Sequence, residues 1–194
     1  MNYPDVGFNM VRTDCANFPL HNLPAGYRLR TYQPGDEVTW LTIQRAAEPF
    51  ITMPDDYFDR QYGDALDALP DRMFFVESVT GEEASEAVGT ISAWWEKERH
   101  NPNERGRIHW VAIHPAHQRR GLAKPMLTHA MQRLAQSHPA AMLGTSSGRP
   151  WAVKVYLDFG FRPDTIEFAN PQITQAWHNV QGILHHPVLK EALG

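Results

Sequence analysis

Residues 108–135 read IHWVAIHPAHQRRGLAKPMLTHAMQRLA, and the local pattern changes twice within them. Ile108 to Ile113 is an apolar run of strand length. His114 and Pro115 end it, and Gln118, Arg119, Arg120, Gly121, Leu122 and Ala123 make a short polar turn. From that turn the apolar residues recur at helical spacing as far as Ala135. Small residues at Gly121 and Ala123 let a ligand approach the backbone, while the start of the helix supplies N–H groups without intrahelical partners. The positive end of the helix dipole points at the same place, and Arg119 and Arg120 add mobile positive charge around it. The implied ligand is a diphosphate-bearing cofactor. Pro125 is consistent with a helix that begins close to Gly121, because in the first turn its missing N–H has no partner to lose.

An apolar strand followed by Q-x-x-G-x-A at Gln118, Gly121 and Ala123 resembles the acyl-CoA signature of the GNAT superfamily of N-acetyltransferases. Further along, AVKVYLDFGF at Ala152 to Phe161 resembles that family's A-x-x-x-Y-x-x-x-G-F pattern at Ala152, Tyr156, Gly160 and Phe161. Two such patterns in the right order are far more specific than either alone.

The resemblance implies an α/β fold with a mixed, mostly antiparallel sheet, helices on both faces and central strands that splay apart. It also implies acetyl-CoA as acyl donor, with the pantetheine arm lying in the opening. Backbone groups of Val111, Ala112 and Ile113 would meet the pantetheine amides, and Gln118, Arg119, Arg120, Gly121, Leu122, Ala123 and Lys124 the diphosphate. The implied activity is transfer of an acetyl group to a primary amine by direct attack in a ternary complex. Tyr156 occupies the position of the tyrosine that acts as general acid toward the departing sulfur.

Composition is consistent with this and excludes other classes. The chain has 194 residues, 42% hydrophobic and 21% charged, which suits one compact globular domain. Eighteen basic against 22 acidic residues give a formal charge of −4, with no broad basic field for nucleic acid and no polybasic face for a membrane. Arg105, Arg107, Arg119, Arg120 and Lys124 nevertheless cluster in sequence around the turn. The single Cys15 has no internal disulfide partner, and no apolar run approaches the roughly 20 residues that span a bilayer. The first residues lack the basic-then-apolar order of a secretory signal, so a cytoplasmic location is expected. A homodimer is expected only by analogy with the family.

Working outward from residues 108–135, Tyr27 to Tyr32 alternates as a strand and Pro34-Gly35-Asp36 makes a turn. Glu37 to Phe50 has helical spacing, and a second helix opens at Pro54-Asp55-Asp56 with Tyr57, Phe58 and Leu66 on its apolar side. Met73 to Val79 and Ala87 to Trp95 predict a hairpin joined through Thr80 to Glu86, and the polar segment Lys97 to Arg107 leads back to Ile108. Beyond the signature helix come a strand at Ala141 to Thr145, a helix through Tyr156, a strand at Phe161 to Phe168, and a helix from Trp177 to Leu193 broken at Pro187. Residues 1–24 show no sustained period and are expected to be an extension, with the domain proper at 25–194.

The chemistry needs a neutral amine, a stabilised oxyanion and a proton for the thiolate. Some family members carry a glutamate near the start of the signature strand, where this chain has Arg107, which cannot accept a proton. His109, expected on the same strand face as Val111, is the nearest titratable candidate for the base, with an ordinary pKa of ~6.5. Glu96 and Glu98 are alternatives acting through water. In the family the helix pair after the first strand and the last strands form the acceptor pocket, which points to Glu48, Tyr57 and Trp94, with Asp55, Asp56 and Tyr62 nearby. Carboxylates beside aromatic rings suit a cationic amine. Asp55 and Asp56 also have the character of simple helix caps.

Rival readings are weaker. GTSSG at Gly144 to Gly148 matches G-x-S-x-G, with Asp164 and His178 following Ser146 in hydrolase order, but too little chain surrounds it for that fold. His109, His114 and His117 lack an acidic or cysteine partner to complete a metal site, so no metal is expected. A non-catalytic acyl-CoA-binding sensor is the alternative from another class, kept open by Arg107 and opposed by Tyr156.

Overall fold

The computed structural model describes residues 4–80, 84–95 and 105–194. In chain order the elements are β1 (Gly7–Arg12), β2 (Tyr27–Thr31), α1 (Asp36–Ala47), α2 (Tyr57–Tyr62), α3 (Leu69–Arg72), β3 (Met73–Thr80) and β4 (Ala84–Trp95). They continue with β5 (Gly106–Ile113), α4 (Ala123–Ala135), β6 (Ala141–Ser146), α5 (Pro150–Asp158), β7 (Arg162–Pro163), α6 (Pro171–Leu184) and α7 (Pro187–Leu193). The strands hydrogen-bond in the order β2-β3-β4-β5-β6-β1-β7, a mixed α/β arrangement that is mostly antiparallel, with β5 and β6 parallel.

Contacts divide the chain into a central unit, residues 20–95 and 108–136, and a terminal unit, residues 1–19, 96–107 and 137–194. In the central unit β2, β3 and β4 pair antiparallel, with a bulge between Val76 and Glu77. Helix α4 lies against β4 and buries Leu127, Ala130, Met131 and Leu134, the i, i+3, i+4, i+7 stripe that its sequence predicts. Each such Leu or Met side chain contributes about 1.5–3 kcal/mol when fully buried. Trp40, Phe58, Tyr62, Phe75 and Trp94 form an aromatic core between α1, α2 and the strands. An ion-pair network ties this scaffold together. Arg30 bonds the Asp36 carboxylate at 2.6 and 2.8 Å and Glu77 at 2.6 Å, while Arg28 bonds Glu77 at 2.7 Å.

In the terminal unit β1 pairs with β6 from Gly7↔Ser146 to Arg12↔Ala141 and with β7 at Met10 and Val11. This changes the expectation for residues 1–24. Phe8, Met10 and Arg12 point inward in alternation, so this stretch supplies a strand rather than preceding the domain. Arg12 is 8% exposed, and its guanidinium donates to the carbonyls of Phe159 and Ala16. Gly160, at φ +82°, leaves room for that guanidinium, which a Cβ would strike. The glycine of the G-F pair is therefore explained by packing.

Three other expectations change. The strand expected at Phe161 to Phe168 is only Arg162–Pro163, followed by a 3-10 turn at Thr165–Ala169. Pro163 has no N–H for a ladder, and the Asp164 side chain accepts from Ile166 N–H, which turns the chain. The last helix starts earlier, at Pro171, because the Asn170 side chain caps it. It stops at Leu184, with His185 at φ +49°, before α7. Leu66, expected to be covered, is 48% exposed. Of the expected hairpin link, residues 81–83 lie outside the described residues, as do Glu96 and Glu98.

Candidate functional site

The turn between β5 and α4 is held in shape by its own polar side chains. Gln118 Nε2 donates to the carbonyl of Ile113 at 3.0 Å, and the His114 ring accepts from Ala116 N–H across a 3-10 turn at Pro115–His117. The chain then passes through positive φ twice, at Arg119 (+59°) and Gly121 (+80°), before Leu122 returns to the right-handed region. A left-handed residue followed by a right-handed one turns successive N–H groups toward one side, making a concavity for an anion. Among the described residues, the N–H groups of Gly121 to Ala123 meet no backbone carbonyl. Helix α4 begins at Ala123, so Pro125 stands in its first turn as expected.

Charge around this turn is arranged unfavourably for a helix start without a ligand. The first turn of α4 has no acidic residue and holds Lys124, next to exposed Arg119 and Arg120. Cations at the positive end of a helix dipole cost a few tenths of a kcal/mol each, which an anion at that place reverses. Tyr27 contributes its hydroxyl, 3.0 Å from His117 Nδ1 and 3.3 Å from Arg120 Nη1. Burial and the charge of Arg120 hold the His117 imidazole below its ordinary value. Leu122, 1% exposed, anchors the turn to the core.

One residue before the segment expected to meet pantetheine, Trp110 kinks β5 without ending it. Its φ is +46°, an outlier for a bulky side chain that costs on the order of 1–3 kcal/mol. Two glutamines hold it: Gln44 Nε2 donates to its carbonyl at 2.8 Å, and Gln61 Oε1 accepts its indole N–H at 3.0 Å. The ring packs edge-on to Trp40 at 5.7 Å and Tyr57 at 5.4 Å. The alternation that would put His109 beside Val111 is therefore interrupted, and the His109 ring lies 5.8 Å from Tyr62 and 5.7 Å from Trp110. No sequence signal marks this kink, because H-W-V-A-I reads as a regular strand either way.

In the terminal unit, α5 carries Tyr156, half-buried and edge-on to Phe161 at 6.3 Å. Burial pushes its phenol up to about 12, against the opposing pull of the Arg149 charge. Such a phenol keeps its proton at neutral pH and can donate it.

The model of the acetyltransferase (GNAT) family matches residues 38–161, from α1 through the G-F pair. The chain belongs to the GNAT family. A curated mycothiol acetyltransferase from Streptomyces scabiei is 31% identical over 148 residues, covering 72% of this chain and 44% of that protein. This chain thus spans less than half the length of that relative. Among solved structures, a GCN5-related N-acetyltransferase from Sphaerobacter thermophilus superposes with a TM-score of 0.62 at 20% identity, covering 82% of this chain and 48% of that one. A GNAT-family acetyltransferase from Colwellia psychrerythraea gives 0.59 at 14% identity, covering 84% and 55%. At these identities the likeness shows the fold.

The other candidate residues of this GNAT chain fall into place unevenly. Glu48 caps the end of α1, with Oε1 accepting from Phe50 N–H at 2.7 Å. Burial and the Glu48 charge raise the Tyr57 phenol above its ordinary value. Trp94 is 4% exposed, stacked on Trp95 at 4.3 Å and against Tyr62 at 5.0 Å. The half-buried Trp110, rather than Trp94, is the tryptophan whose ring meets Tyr57, at 5.4 Å. Asp55 pairs with Arg45, and Asp56, at the N-cap position of α2, gives its carboxylate to Arg60 instead of to the helix backbone.

The rival motifs have local partners. Ser146 of GTSSG is 4% exposed and accepts a hydrogen bond from Arg149, a donor-only group that cannot serve as its base. Among the described residues, no three His, Cys, Asp or Glu side chains come together as a metal site, and no helix is long and apolar enough to cross a membrane.

Proposed function

We propose that this chain is an acetyl-CoA-dependent N-acetyltransferase that moves the acetyl group to a primary amine by direct attack in a ternary complex. The observation that carries this reading is the turn at Gln118 to Lys124: backbone N–H groups without carbonyl acceptors, two left-handed residues and an all-basic helix start. These features suit the diphosphate of the coenzyme, with Val111, Ala112 and Ile113 offering backbone groups to the pantetheine amides. The relative named mycothiol acetyltransferase supports acetyl transfer in general, and the nature of its acceptor is not carried over.

In the proposed reaction the neutral amine attacks the thioester carbonyl, an oxyanion forms, and the carbon–sulfur bond breaks. Tyr156 gives its proton to the thiolate. A phenol raised to about 12 keeps its proton at neutral pH but is a weaker acid than an ordinary thiol, so the transfer is completed by collapse of the oxyanion to the amide as the sulfur leaves. The attacking nitrogen loses its proton to His109, which stands in the same strand as the pantetheine segment. Arg107 cannot take that part, since guanidinium has no lone pair to accept a proton.

A thiol-release assay with acetyl-CoA over small amines, amino acids, polyamines, aminoglycosides and peptides tests the reading, with cofactor-induced thermal stabilisation followed in parallel. Release with one amine class is expected. Stabilisation by acetyl-CoA with no release from any amine would move the assignment to an acyl-CoA sensor.

A further inference from the structure

Helix α5, which carries Tyr156, has the wrong charge at each of its own ends. Arg149 holds its N-cap position and Asp158 closes its last turn, with no acidic residue in the first turn and no basic one in the last. The helix dipole favours the reverse, an anion at the start and a cation at the end. Lys154 Nζ answers Asp158 locally, at 3.0 and 3.1 Å. The charges that suit the dipole come from outside the helix, and both come from β1 and the residues that lead into it. Asp5, just before β1, accepts from Gly148 N–H at 2.7 Å and stands 3.6 Å from Arg149 Nη1. Beside it, Val6 N–H donates to Ser147 Oγ at 2.9 Å, and Ser147 N–H donates to the Val6 carbonyl at 3.0 Å. At the far end of β1, Arg12 Nη1 donates to the carbonyl of Phe159, the residue just past α5. Carbonyls at that place have no partner within the helix.

The tie at Arg12 reaches Tyr156 directly through the backbone. Tyr156 lies in the last turn of α5, and its carbonyl accepts from the N–H groups of Phe159 and Phe161, each at 3.1 Å. Arg12 therefore holds the residue that is itself bonded to Tyr156. The guanidinium is held in turn, because Nε donates to the Asp14 carbonyl at 2.6 Å and Nη2 donates to the Ala16 carbonyl. A buried charge with its N–H groups so engaged does not swing away. Strand β1 also pairs with β6 before α5 and with β7 after it, so both connections of the helix are pinned to one strand.

Packing alone does not supply what these ties supply. Burial of Val153 and Leu157 decides which face of α5 is covered. Being non-directional, it leaves the helix free to slide along its axis or turn about it by small amounts. Charge-assisted hydrogen bonds at opposite ends are directional and oppose both motions. A phenol that gives a proton must stay within hydrogen-bond reach of the group that takes it, and a shift of about 1 Å is enough to cost turnover. We propose that β1 clamps α5 from both ends, with Asp5 and Arg12 as positioning residues for the Tyr156 phenol. This rests on the transferase reading above, in which Tyr156 supplies the proton.

The test places Asp5→Ala and Arg12→Met in the parent chain and in Tyr156→Phe, and follows kcat, the acetyl-CoA KM, Tm and hydrogen exchange of the α5 amides. Each variant should lower kcat about tenfold in the parent, leave the acetyl-CoA KM within about twofold, and speed exchange in α5. In Tyr156→Phe the same substitutions should leave kcat nearly unchanged, because they act through the missing phenol. Asp5→Asn keeps an accepting oxygen for Gly148 N–H and should recover part of the lost kcat. Asp5 is exposed, so its variants carry the test where Arg12→Met fails to fold. An equal fall of kcat in both backgrounds, or none in Asp5→Ala, overturns the positioning role and leaves the transferase standing. Thiol release from no amine by the parent overturns the transfer reading, and exchange then judges the clamp alone: faster in Asp5→Ala supports it, unchanged overturns it.

Discussion

The two ends of one short stretch of chain, Trp110 and the turn at Gln118 to Lys124, are built on opposite principles. The turn is made of backbone: N–H groups, two positive φ angles and a helix start, with side chains needed mainly to be small or basic. The Trp110 end is made of side chains from three elements, α1, α2 and β5, that fix one another by hydrogen bonds and ring contacts. A backbone device serves any chain that binds the same anion. In the reading proposed above, the backbone device is the one that holds the acetyl donor.

That division makes the variants separable. Tyr156→Phe belongs to neither end and should have the largest effect, lowering kcat by about a hundredfold while the affinity for acetyl-CoA stays within about threefold. A fall in acetyl-CoA affinity matching the fall in kcat would make Tyr156 a packing residue. Next in size, Gln44→Leu, which removes the hydrogen bond that fixes the Trp110 carbonyl, should raise the acceptor KM about tenfold without raising the acetyl-CoA KM. Equal changes in both KM values would mean that the two ends are one site. Arg119→Ala combined with Arg120→Ala should weaken acetyl-CoA binding only a few-fold and flatten its salt dependence, because these exposed charges assist a backbone cradle. Loss of binding on the scale of a buried ion pair would show that side chains, not backbone, hold the diphosphate.

The smallest effect on activity is expected from the scaffold. Burial alone would raise the Glu77 carboxyl, but hydrogen bonds and charge from Arg30 and Arg28 hold it below the usual glutamate range. A depressed carboxyl contributes stability at neutral pH that is lost as pH falls through its folded value. Glu77→Gln should therefore cost about 1–3 kcal/mol at pH 7 and show a shallower decline toward acid, read as Tm against pH. An acid-side slope equal to that of the parent would rule out this role for Glu77.

The same division explains what is legible in the sequence. Backbone devices leave compositional marks, so Gln118, Gly121, Ala123, Pro125 and Gly160 are enough to locate the turn and the G-F pair from the letters alone. The hydrophobic period likewise marks α4 and most strands. Strand β1 is hard to read because its alternation is only three inward residues long, one of them Arg12, and its partners β6 and β7 lie far along the chain. The two-residue β7 reads as longer than it is because Phe161 and Phe168 bracket a turn set by Pro163 and Asp164. Trp110 is unreadable for a deeper reason. A left-handed residue inside an apolar strand leaves the letters unchanged, and its causes, Gln44 and Gln61, are ordinary helical residues at a distance of 66 and 49 positions. Trp94 rather than Trp110 is accordingly the tryptophan that the sequence assigns to the acceptor.

The most direct test is a calorimetric titration of acetyl-CoA into the parent chain and into Gly121→Val. Gly121 has φ +80°, and a Cβ there meets only Pro24 Cγ at 3.8 Å, so the substitution acts through backbone strain and the face offered to the ligand. Saturable one-site binding to the parent, weakened about tenfold or more in a variant that still folds, with its Tm lowered by several degrees from the backbone strain, is the result that a backbone cradle predicts. Binding of equal strength to both proteins, or none to the parent, would contradict it.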